Sequence, residues 1–209
     1  MTGGDPYRRC GLAANPFAHG DVAAPADWVD RGLPPPPEPG GRRLVQVIGV
    51  KGAGKTGTLR RWHAGGAAPW RYVPRDARRL RPLPVAPLVY WDEADRAPAA
   101  LRRWALRAAA RRGATVVAGT HADLGAEAHR AGLAVDTLVL PPITAAELTA
   151  WAARRLAGAG PDWTLPASVA ADVAARAGAS WRTAGDLLHV WVAREVAARS
   201  SHTERRCDR

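Results

Sequence analysis

Gly49 to Thr56 reads GVKGAGKT: a glycine, four residues, a second glycine, then lysine and threonine. Glycines at 49, 52 and 54 let the backbone turn with its N–H groups facing inward, an anion nest at the start of a helix. A phosphate fits such a nest. Lys55 supplies a mobile point charge for β- and γ-phosphates, and the Thr56 hydroxyl a ligand for Mg²⁺. Gly49, Val50, Lys51, Gly52, Ala53, Gly54, Lys55, Thr56 and Gly57 together make the expected nucleotide-binding stretch. Only Lys51 and Lys55 of the 30 basic residues are lysines, so a chain that otherwise writes positive charge as arginine keeps lysine where a compact ammonium is needed.

The second group with chemistry is Leu88-Val89-Tyr90-Trp91-Asp92-Glu93, an apolar run ending in two acids. As a buried strand it delivers carboxylates to the crevice where ligands bind in open α/β sheets. Asp92 is expected in the Mg²⁺ shell, and Glu93, one residue further out, is expected to orient and polarise the attacking water. A third candidate is Thr120, at the tip of the run Ala114 to Gly119, where a polar side chain can sense the terminal phosphate. His121 beside it carries no pattern among the six histidines.

These residues need elements to hold them. Leu44 to Ile48 is an apolar strand leading into the loop, and Gly57 to His63 continues the helix until Gly65-Gly66. Pro69 to Pro74 predicts a short second strand. Arg75 to Pro87 carries three prolines directly after Pro74, a density that forbids a helix and leaves an irregular loop or a basic surface. Pro98 to Arg112 predicts a helix with Leu101, Trp104, Ala105 and Ala108 inward and Arg103, Arg107 and Arg111 on a solvated or binding face. Asp123 to Gly132 is a short amphipathic connection, and Val135 to Leu140 a fifth strand. Beyond it the chain turns helical. Thr144-Ala145-Ala146-Glu147 is a capping box with Ile143 and Leu148 as its staple. Gly158, Gly160 and Pro161 break that helix, Leu165 to Ala177 forms a second, and Ser180 caps a third with Ala184, Leu187, Leu188 and Trp191 inward. Arg182, in that helix's first turn, sits badly for a cation. Either an external anion or an ordinary surface arginine accounts for it. The predicted fold is an α/β P-loop NTPase: a five-stranded, mainly parallel sheet flanked by helices, then a small all-helical lid. The boundaries are 1–43 for a Pro/Gly-rich strap and linker, 44–141 for the core, 142–199 for the lid and 200–209 for a basic, disordered tail.

With 209 residues the chain accommodates at most two modest domains. A net charge of +11 favours a polyanionic partner, yet arginine and alanine bias across the whole chain leaves nucleic-acid contact open. Cys10 and Cys207 show no metal-ligand spacing and read as free thiols. No apolar run approaches the roughly 20 residues of a membrane span, so a soluble, cytoplasmic protein without membrane insertion is expected.

The order of phosphate loop, Asp92-Glu93, polar strand tip and lid arginine resembles the AAA+ ATPases. More narrowly it is similar to the bacterial branch of general-secretion and transposition-helper ATPases. Gly11-Leu12 and Asn15-Pro16-Phe17 match that branch's opening segment; Pro142-Ile143, Glu147, Trp151, Arg155-Leu156 and Ala159-Gly160 match its lid. Its Gly-x-Pro-Arg element stands here as Gly178-Ala179-Ser180-Trp181-Arg182, so only the arginine carries over. The resemblance implies binding and hydrolysis of ATP with Mg²⁺, Arg182 as a second sensor, and an arginine finger offered to a neighbouring subunit. Arg130 is the only arginine between the fourth and fifth strands. The finger implies assembly as a homo-oligomer. The chain is expected to act as an ATPase that switches a protein client or DNA, or as a nucleotide-gated adaptor that binds ATP with little turnover and contacts nucleic acid through its Arg-rich surfaces.

Overall fold

The computed structural model describes residues 5–18, 29, 31–64, 66–157 and 163–207. The predicted helix breaks at Gly65, Gly158, Gly160 and Pro161 lie outside the described residues. Two compact units emerge, Gly32–Pro141 and a second made of Met1–Arg31 with Pro142–Arg209.

The first unit is an α/β fold, a five-stranded parallel sheet flanked by helices, as expected. Its strands are β1 (Arg43–Ile48), β2 (Trp70–Tyr72), β3 (Leu88–Asp92), β4 (Thr115–Thr120) and β5 (Ala134–Val139). They form one sheet in the order β2-β3-β4-β1-β5, every pairing parallel. Register aligns the strand tips: Asp92 lies beside Gly119, and Thr120 beside Ile48. The residues that leave those tips therefore share one edge. A parallel sheet must be covered on both faces. Val89 and Trp91 of β3 join Leu44, Val116 and Ala118 in a core packed against Ala105, Leu106 and Ala109 of α3 (Ala99–Arg111) and Ala128 of α4 (Gly125–Ala131). Alternation then turns Tyr90 and Asp92 to the opposite face, where α2 (Lys55–His63) packs on β3 and β4.

One buried polar side chain crosses this core. Gln46 of β1 donates to Asp123 Oδ1 (2.6 Å) and Thr137 Oγ1 (2.8 Å), and its carbonyl accepts the Leu124 N–H (2.8 Å). With each partner satisfied, it costs little to bury and fixes the chain just after β4 against β1 and β5.

Three local expectations change. Between Pro74 and Pro82 there is room for a single 3₁₀ turn, Ala77–Leu80, capped by the Asp76 side chain, so the prolines bracket a short helix instead of forbidding one. Asp123 to Gly132 contains a true helix, α4. Trp104 of α3 does not face inward: it is 54% exposed. Arg102 turns in instead, pairing bidentately with Glu127 of α4 (2.7 and 2.8 Å) and donating to the Ala97 carbonyl (2.9 Å).

In the second unit, α5 (Ala145–Leu156) opens with the expected capping box on Thr144 and Glu147. α6 (Ala167–Ala177) and α7 (Trp181–Cys207) follow, the last running on into the stretch predicted as a tail. The short helix α1 (Pro6–Arg9) and the Asn-Pro-Phe segment belong to this unit, not to the sheet. Phe17 is buried 5.3 Å from the Trp151 ring, and Asn15 donates to the His189 carbonyl (2.9 Å). Leu148, Ala184, Leu188 and Val192 form the centre of that core; Leu187 and Trp191 are half-buried against it. Among the described residues no helix is long and apolar enough to cross a membrane.

Candidate nucleotide site

The loop between β1 and α2 folds tightly on itself. A Cβ at Gly49 would lie 2.9 Å from the Ala53 Cβ, so only glycine allows the approach that the Ala53 N–H makes to the Val50 carbonyl (3.1 Å). Gly52 and Gly54 take left-handed φ of 86° and 102°. The first amide of the helix to bond back is Thr58, to the Gly54 carbonyl at 2.9 Å. Among the described residues the N–H groups of Gly54, Lys55, Thr56 and Gly57 have no partner within the protein. Unpaired donors at the positive end of a helix form an anion site. Val50 and Lys51, also expected in the nucleotide-binding stretch, lie exposed on the loop's outer side.

Lys55 reaches back across this nest. Its buried ammonium donates to the carbonyls of Gly49 (2.8 Å) and Val50 (3.2 Å) and lies 3.3 Å from both ring nitrogens of His121. Burial pushes its pKa below the ordinary lysine value, partly offset by the charges of Glu93, Asp95 and Asp92. An anionic oxygen in the nest would relieve that cost.

The Thr56 hydroxyl donates to Asp92 Oδ2 (2.9 Å), while Asp92 Oδ1 is buried with no partner. Burial pushes the Asp92 carboxyl above the usual carboxylate range, against the opposing effect of the Thr56 hydrogen bond. Gly119 makes the room. A Cβ there would stand 3.0 Å from Asp92 Oδ1 and 3.3 Å from Leu59 Cδ2. A hydroxyl and an orphaned buried carboxylate oxygen beside a phosphate site suit Mg²⁺, which takes oxygen ligands, keeps several waters and shares phosphate oxygens. No cluster of three or more His, Cys, Asp or Glu that could hold a metal occurs among the described residues.

Glu93 follows Asp92 in a left-handed conformation (φ 58°, ψ 41°) that costs a non-glycine residue about 1 kcal/mol. Its nearly buried carboxylate is 2.7 Å from the Arg96 guanidinium and 3.3 Å from His121 Nε2. Arg96 in turn donates to the Tyr72 hydroxyl at the tip of β2 (2.9 Å), and the His121 amide donates to Asp95 Oδ1 (3.3 Å). Lys55, Asp92, Glu93, Thr56 and the β4 tip are thus brought together.

At that tip two neighbours point in different directions. Thr120 is fully buried, its hydroxyl donating to the Ala122 carbonyl (2.7 Å) and accepting the Ala122 N–H (3.1 Å) within its own turn. The polar ring facing Lys55 and Glu93 is that of His121, which sequence reasoning passed over along with Arg96 and Gly119. Every residue of β4 is buried, so alternation gives no direction to its last side chain, and only the turn geometry separates the two. Arg130 is exposed in the last turn of α4, and Arg182 is exposed in the first turn of α7, in the helical unit.

No family model matches the sequence, and no curated protein matches it. Among solved structures, the chain is similar to the RuvB protein of Thermotoga maritima, at 18% identity and a TM-score of 0.47. That likeness covers 70% of this chain and 53% of RuvB, about half the length of the structure matched. The functional reading rests on the site.

Proposed function

We propose that the chain is an AAA+ type ATPase that binds ATP with Mg²⁺ and uses hydrolysis to switch a partner, turning over slowly alone and faster when assembled as a homo-oligomer. The observation that carries this reading is the set of unpartnered amides at Gly54 to Gly57 beside Lys55 and the Thr56–Asp92 pair. The motif order further suggests the general-secretion and transposition-helper branch. The loop amides receive phosphate oxygens, and Lys55 exchanges the neutral carbonyls of Gly49 and Val50 for anionic phosphate oxygens, adding a full opposite charge to the hydrogen bond. Thr56 and Asp92 would hold Mg²⁺, which when bound neutralises charge on the β- and γ-phosphate oxygens.

Glu93 accepts a proton as a water oxygen bonds to the γ-phosphorus and the bond to the departing ADP oxygen breaks. To do so it leaves Arg96 and His121, which account for slow turnover in the isolated chain. That same ion pair favours a second reading, an adaptor that binds ATP and barely hydrolyses it. In this scheme Arg130 acts on a neighbour's nucleotide, His121 takes the sensing place first given to Thr120, and Arg182 keeps the second-sensor role that the family resemblance implies. Glu93→Gln keeps the shape and removes the base. It is expected to lower phosphate release in an assembled sample by about 10²-fold or more while leaving ATP affinity within a few-fold. Unchanged hydrolysis would remove Glu93 from this role.

A further inference from the structure

The outward face of α3 serves neither the sheet nor the nucleotide site. After the exposed first residue Ala99, its exposed residues recur at helical spacing: Ala100, Arg103, Trp104, Arg107 and Arg111, followed by the exposed cap residue Arg112. Ala99–Arg111 contains no acidic residue, and among the described residues Arg103, Arg107, Arg111 and Arg112 make no ion pair. Arg103 spends one N–H on the Ala99 carbonyl of its own helix (3.2 Å). Trp104, 54% exposed, is the only exposed tryptophan among the described residues, and no aromatic ring packs against it. Helix geometry spaces Arg103, Arg107 and Arg111 at about 6 Å intervals along one line, with the indole beside the first two.

A purely solvated face explains the arginines and not the indole. A protein core explains the indole and not three unpaired cations. An unpaired nucleic-acid strand explains both, because phosphates take the guanidinium row while a base stacks on the indole, the pairing of charge and π-face that single-strand binders use. A duplex keeps its bases stacked on one another and leaves the indole without a partner. We infer that the α3 ridge of Arg103, Trp104, Arg107 and Arg111 is a binding surface for single-stranded nucleic acid. This names a partner class for the switch proposed above. The observations behind it are separate from the phosphate loop.

The experiment is fluorescence anisotropy of the full-length chain with a labelled 20-mer of oligo-dT, without nucleotide, across a salt series. Trp104→Ala is expected to weaken binding at least about fivefold. Arg107→Gln should flatten the slope of log affinity against log salt by about 0.7, the share of one phosphate contact on a single strand. Arg8→Gln, which removes an exposed charge in the other unit, serves as the control and should change affinity by less than twofold. Thermal melting of each variant should match the parent, since the replaced side chains are exposed. The inference is overturned if Trp104→Ala binds the oligonucleotide as tightly as the parent. It is also overturned if Arg107→Gln flattens the slope no more than Arg8→Gln, if a duplex of the same length binds as well, or if polyglutamate competes as well, which would point to an acidic protein. Calorimetry with Mg-ATP on Trp104→Ala should give the parent's affinity, so failure here and failure of the nucleotide reading are separate results.

Discussion

Asp92 carries the clearest conflict between folding and function at the level of a single residue. Its carboxylate is buried with one oxygen unpartnered, and burial raises its folded pKa above the unfolded value. The stabilisation tied to its protonated form is full below the ordinary Asp pKa and is lost as pH rises through the raised one. As pH rises through that raised value the ligand-free protein takes on a buried negative charge that the Thr56 hydrogen bond and the nearby Arg60 and Lys55 offset only in part. Asp92→Asn keeps an acceptor for the Thr56 hydroxyl and removes that charge. Thermal melting without ligand should show the variant more stable at pH 7.5, with the difference shrinking toward pH 4. The same variant should lose the part of ATP-induced stabilisation that depends on Mg²⁺. A ligand-free melting point at or below that of the parent would contradict this account of Asp92.

Among the elements, Gly119 lets β4 run past Asp92 and α2. An alanine there meets Asp92 Oδ1 at 3.0 Å and Leu59 Cδ2 at 3.3 Å, with Lys55 Cβ at 3.7 Å. Gly119→Ala should cost about 1–3 kcal/mol in denaturant unfolding and weaken nucleotide binding as well, because it pushes on the carboxylate and on α2 together. Elements whose signals are local were legible in the sequence: the β1–loop–α2 order, the acidic tip of β3 and the Thr144–Glu147 capping box. The α3 face was not. In AALRRWALRAAAR several stripes are equally apolar by composition, and the choice falls to Arg102 finding Glu127 on α4, a pairing between helices that periodicity does not contain. The β4 tip failed for a related reason: a strand buried on both faces does not announce whether Thr120 or His121 will point at Lys55. The packing of the N-terminal segment on the helical unit, through Phe17 and Trp151, follows from tertiary contacts that its own sequence does not contain.

For the whole molecule, the proposal requires neighbouring copies to complete one another. Arg130 is solvent-exposed on α4 and close enough to Glu127 to lower its pKa, beside the stronger effect of Arg102. If it serves a neighbour's nucleotide, specific activity should rise with protein concentration. Arg130→Ala should lower hydrolysis in the assembled sample by roughly 10³-fold while sparing ATP affinity. Mixing it with Glu93→Gln should restore part of the activity, because Arg130→Ala protomers would receive an intact arginine from their neighbours. No recovery on mixing would count against a role in trans. All of this presupposes that the loop from Gly49 to Gly57 grips a nucleotide. Titration calorimetry of the full chain with Mg-ATP tests that directly: the parent should bind one nucleotide per chain, and Lys55→Ala, which removes the ammonium from the nest, should weaken binding at least about tenfold. No heat of binding from the parent, or equal affinity in both proteins, would contradict the account.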